Sequence, residues 1–132
     1  MPQTPYAPSN VNLGALVTLS AAATGTNSVV QLNNFYRGVL VGVNVTAITG
    51  TTPTLTVTVE GVDPVTNTAT FTVLASASIT TTGYTTLTVY PGIAVTANET
   101  ASTVLPYNWK IVTAIGGTTP AVTATVTAVA LV

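Results

Sequence analysis

The chain has no cysteine and no histidine among its 132 residues. Without cysteine no disulfide staples the fold, and redox chemistry gives no indication of compartment. Without either residue the commonest metal-ligand set is missing, and so are the Ser–His and Cys–His nucleophile pairs. Charge is almost absent as well: 4 % of residues are charged, where about 25 % is usual. The cations are Arg37 and Lys110, and the anions are Glu60, Asp63 and Glu99. A net charge of −1 offers no electrostatic footprint for nucleic acid and no polybasic patch for a membrane. No apolar run approaches the ~18 residues that a membrane helix needs. The opening MPQTPYAPSN lacks the basic and apolar regions of a secretory signal, so either the chain is made and used in a cytoplasm or a signal has been trimmed away.

The few acids carry little chemistry. Glu60 and Asp63 sit in EGVDP, at a strand end and its turn. They could hold a weak calcium ion with backbone carbonyls, but they read more simply as solvated turn acids, as does Glu99 in the loop ANETAS. No glycine pattern next to a helix suggests a phosphate site. The expectation is a protein with no catalytic residues, no cofactor and no metal, and hence not an enzyme.

What is abundant is threonine, about thirty residues, set among valines. Mean hydropathy is +0.60. Soluble monomers usually rely on mixed surface charge, so so neutral a chain is expected to be covered by other subunits. The apolar period is two. Val39, Val41, Val43 and Val45 alternate with Leu40, Gly42, Asn44 and Thr46, and Leu55, Val57 and Val59 alternate with threonines and Glu60. Such alternation gives strands with one apolar face and one threonine face. Turn signals separate runs at about 15–20, 28–33, 38–48, 54–60, 69–76, 84–90, 108–115 and 121–131. The fold class expected is all-β: an antiparallel β-sandwich, jelly-roll-like or immunoglobulin-like, of about eight strands. Residues 13–132 form the domain. Residues 1–12, rich in proline, form an extended arm that is either unstructured or laid on a neighbouring subunit.

One stretch is written twice. VTAITGTTP starts at Val45 and VTAIGGTTP at Val112, differing only at Thr49 and Gly116. Each reads as a hairpin, with Gly50 or Gly117 supplying positive φ and Pro53 or Pro120 starting the returning strand. The preferred placement is one hairpin per sheet, related by a pseudo-twofold. Convergent use of a good turn is the alternative.

Candidate contacts are few. Phe35, Tyr36 and Arg37 in NNFYRG form the best aromatic–arginine patch, although the aromatics could instead cap one end of the core. Trp109 in LPYNWK reads as a core plug between sheets, with an interface anchor as the alternative. Pro5 and Tyr6 are the arm's candidate contacts. The rows Thr54, Thr56, Thr58 and Thr123, Thr125, Thr127 raise ice binding, which sheet twist disfavours.

VNVTAITGTTPTLTVTVEGVDP, then LTVYPG, then LPYNWKIVTAIGGTTPAVTATV resembles a group of small threonine- and valine-rich virion proteins of tailed bacteriophages. The resemblance covers about residues 36–132. It implies a head decoration or cement protein on the capsid surface, made in the host cytoplasm. Its partners would be itself, as a homotrimer, and the major capsid protein, with no nucleic acid or membrane. A tail, neck or fibre component, or a binding module for glycan or ice, is the alternative.

Overall fold

The alternation of valine with threonine carries through into long strands. A computed structural model describes residues 9–33 and 35–132. Its strands are β1 (Val11–Ala22), β2 (Gln31–Leu32), β3 (Gly38–Val62), β4 (Thr70–Ala75), β5 (Gly83–Val89), β6 (Thr100–Ala101) and β7 (Asn108–Leu131). They form one sheet in the order β1-β7-β3-β5-β6, with β2 also on β7 and β4 also on β3. All pairings are antiparallel except β5 with β6.

The repeated stretch does not make two hairpins. A hairpin would pair residues 38–48 with 54–60. Instead both runs belong to β3, which pairs along its whole length with β7, from Gly38 opposite Leu131 to Val62 opposite Asn108. The two Gly-Thr-Thr-Pro segments meet halfway along this ribbon. Their backbones match: φ is 123° at Gly50 and 47° at Thr52, 110° at Gly117 and 47° at Thr119. A Cβ on Gly50 would lie 2.8 Å from the Thr119 carbonyl oxygen, and one on Gly117 would lie 2.6 Å from that of Thr52. Register shifts cluster here, and neither proline has a ladder partner, so the missing N–H groups cost no sheet bond. The segments form a corner where both central strands pass from one layer to the other.

The outer strands turn the same corner. β1 leaves its ladder at Ala22, after Ala21 at φ 52°. Gly25 then passes so close to Thr113 that a side chain would collide with its carbonyl. The chain rejoins β7 at Asn27, opposite Val112, and continues into β2. On the other side, β4 pairs with the second half of β3, Ile79 bridges Leu55, and β5 pairs with the first half. The sheet is thus folded into a sandwich-like pair of layers. Inward side chains of both layers, including Val41, Val43, Val57, Ile111, Trp109 and Val126, make one core.

A pseudo-twofold does relate two halves, residues 11–62 and 70–131. In each, an outer track with a break at the corner is followed by a long central strand. The outer track of each half pairs with the central strand of the other: β1 and β2 with β7, β4 and β5 with β3. The halves are interlaced rather than side by side.

Candidate interaction surface

At the end of the sandwich opposite the corner, the chain crosses between layers twice. Residues 33–37 link β2 to β3, and residues 102–107 lead into β7. Asn33 ties the two crossings together. Its Oδ1 accepts the Tyr36 N–H at 2.9 Å, and its Nδ2 donates to the carbonyls of Tyr36 at 2.7 Å and Leu105 at 3.1 Å. The Asn33 N–H donates to Tyr107 O, the Leu105 N–H to Arg37 O, and the Arg37 N–H to Leu131 O. Asparagine suits this role because its short amide closes local turns.

The pinned loop throws Phe35 outward, where it is 81 % exposed. On the segments that enter and flank the two crossings, Leu32 at 66 %, Tyr107 at 53 %, Val29 and Val104 are exposed as well. Tyr36 turns inward instead. With Leu13, Leu32, Leu105 and Trp109 it lines a cleft of about 40 Å³. Of the two expected aromatics, Tyr36 therefore covers the core and Phe35 faces solvent. Arg37 is exposed beside them. Exposed apolar side chains gathered toward one end of a molecule suit an interaction site, because covering them recovers hydrophobic free energy.

Trp109 is not an interface anchor. At 1 % exposure it has no surface to offer, and it plugs the core between layers. Pro5 and Tyr6 lie outside the described residues. The sequence reading missed Val29, Leu32, Val104 and Tyr107. The run VVQL, which puts two valines side by side and so breaks the alternation, was the available signal.

Glu60 and Asp63 lie toward this same end: Val62, next to Asp63, is opposite Asn108, which also pairs with Leu32. Glu60 stands opposite Lys110 in the ladder. Asp63 Oδ1 accepts the Val65 N–H at 2.9 Å, and Oδ2 accepts the Thr66 hydroxyl at 3.0 Å. These bonds, the backbone one first, hold the Asp63 carboxyl below the usual aspartate range. Glu99 borders an open crevice of about 390 Å³ between residues 77–85 and 97–99. That crevice is larger than the cleft by Tyr36 but gathers only threonine and serine hydroxyls, Tyr84, Asn98 and one carboxylate. Among the described residues no three of His, Cys, Asp and Glu are grouped to hold a metal ion. Thr54, Thr56 and Thr58 face Gly116, Ala114 and Val112 across the ladder, and Thr123, Thr125 and Thr127 face Ala47, Asn44 and Gly42. Neither row continues as threonine onto the neighbouring central strand.

No family model, curated protein or solved structure matches the chain.

Proposed function

We propose that this chain is a non-enzymatic structural protein of a bacteriophage virion. It decorates the capsid and stabilises it by bridging capsid subunits as a symmetric oligomer, a homotrimer. The observation that carries the assembly reading is the apolar end around Phe35, on a chain with only five charged side chains. Obligate interfaces are more hydrophobic than transient ones, and burial of such a surface supplies the association free energy. The virion setting rests on the resemblance across residues 36–132. The mechanism is mechanical: a subunit that binds only the assembled shell shifts the equilibrium toward assembly by mass action.

Light scattering on a size-exclusion column, followed by sedimentation with DNA-free phage shells, tests this. The expected result is a stable trimer that pellets with shells at a copy number near that of the major capsid protein. A chain that stays monomeric at micromolar concentration and ignores the shells would sink the proposal.

A further inference from the structure

The crevice between residues 77–85 and 97–99 is built on fixed backbone. On one wall Ile79 exchanges hydrogen bonds with Leu55: its N–H donates at 2.8 Å and its carbonyl accepts at 2.9 Å. The half-buried Ile79 packs against the core, and its neighbours Ser78 and Thr80 are left exposed on the crevice. On the other wall Asn98 turns the chain at φ 64°. Its Nδ2 donates to Ala75 O, at the end of β4, at 3.1 Å, and Glu99 O accepts the Thr88 N–H of β5 at 2.9 Å. Walls held this way need little ordering when a ligand arrives, which lowers the cost of binding.

The chemistry of the walls selects the ligand. Ser78, Thr80, Thr81 and Thr82 supply hydroxyls that donate and accept, whereas the Glu99 carboxylate only accepts. No cation borders the crevice, so a phosphate, sulfate or carboxylate would meet Glu99 with nothing to offset the repulsion. An apolar ligand would strip water from the hydroxyls without replacing their hydrogen bonds. A neutral ligand that is itself hydroxylated avoids both costs.

Tyr84 adds an apolar surface. It borders the crevice, leans over Gly42, where no side chain stands in its way, and is still 64 % exposed. Across the ladder from it lie Asn44, then Thr125, then Thr18, an uncharged row that runs from the crevice onto the sheet face. A pyranose carries hydroxyls around its rim and C–H bonds on its faces. The rim suits the hydroxyls and the carboxylate, and the face suits an aromatic ring. At about 390 Å³ the crevice has the size of small-molecule sites, about 300–1,000 Å³.

We infer that this crevice, with Tyr84 at its border, binds a neutral oligosaccharide. One sugar sits against Glu99 and the threonine hydroxyls, and the next covers Tyr84. Gly83 opposite Val45 and Ile79 opposite Leu55 place the site near the corner, at the other end of the sandwich from Phe35. Glycan and subunit contacts are therefore separate.

An array of neutral, sialylated and sulfated oligosaccharides, probed with the labelled wild-type chain, tests the class. Isothermal titration then measures the strongest neutral binder against variants whose unchanged Trp109 emission shows them folded. The inference expects neutral glycans on the array and a Kd weakened about tenfold or more in Tyr84→Ala and in Glu99→Ala. Tyr84→Phe, which keeps the ring, and Phe35→Ser, at the other end, should bind as the wild type does. Absence of any neutral binder overturns the inference, and so does a preference for sialylated or sulfated glycans. Undiminished binding in either alanine variant places the glycan elsewhere and overturns it too, as does a Tyr84→Phe loss equal to that of Tyr84→Ala.

Discussion

Trp109 and Asp63 show how differently single side chains matter in this chain. Trp109 fills the space between layers and is closed to solvent. Trp109→Ala removes a large buried side chain and leaves a cavity, so a loss of about 3–5 kcal/mol is expected in urea unfolding. In the wild-type protein the lone tryptophan should emit as a buried indole and resist iodide quenching. Ready quenching would contradict its place in the core. Asp63 sits in solvent, and its lowered pKa comes from local bonds to Val65 and Thr66. Because the folded value is the lower one, its contribution is full above the ordinary aspartate pKa. It is lost as pH falls through that value and then through the lowered folded one. Asp63→Asn should therefore lower stability at neutral pH, leave strongly acid pH nearly unchanged, and so flatten the acid limb below the ordinary aspartate pKa of about 4. Urea midpoints across that range test it, and an unchanged acid limb would assign the dependence elsewhere.

The corner is the element on which the architecture turns. Gly50 and Gly117 have positive φ, and each backs onto the other segment's carbonyls. Gly50→Ala and Gly117→Ala should each cost about 1–3 kcal/mol. The pseudo-twofold predicts losses equal to within about 0.5 kcal/mol. A large loss at one site and none at the other would show that only one copy bears the bend. Thr52 and Thr119 are β-branched residues at φ 47°, a conformation that suits asparagine better. Thr52→Asn is expected to stabilise by about 1 kcal/mol, read from the same unfolding curves. Glycines elsewhere in the strands make room for rings: Phe71 lies over Gly61, its ladder partner, and Tyr84 lies over Gly42. An aromatic placed over a glycine replaces the packing that the missing side chain cannot give.

Strand character was legible in the sequence because alternation is local. Val39 to Val45 and Leu55 to Val59 face inward as their period implies. The corner was not legible, because GTTP reads identically as a hairpin turn and as a bend in a continuous strand. Only the long-range partner decides, and Ile48 opposite Val122 is such a partner. The exchange of pairing between halves is equally non-local. At the candidate surface, Phe35 was visible as an aromatic among turn residues, but Leu32 and Tyr107 join it only through the Asn33 bonds.

For the whole molecule, the neutral surface and the apolar end act together. Phe35→Ser changes an exposed loop residue, so stability should move by no more than about 0.5 kcal/mol. Self-association should weaken at least tenfold, measured by light scattering across a dilution series. Undiminished association would move the interface away from this end.

The interlacing of halves also sets a timetable. β7 is the sheet's central partner, bonded to β1, β2 and β3, yet it comes last in the described chain. Residues 11–107 therefore leave the ribosome without the strand that both layers need. At about 5–20 residues per second, that interval lasts on the order of seconds. During it, β1 and the valine–threonine strand β3 are unpaired edges with few charges to keep them apart. Folding must then wait for contacts as distant in sequence as Val11 with Ala130, which makes it slow as well as late. Loss of residues from β7 should thus show first as insoluble product during synthesis, before any effect on assembly can be measured.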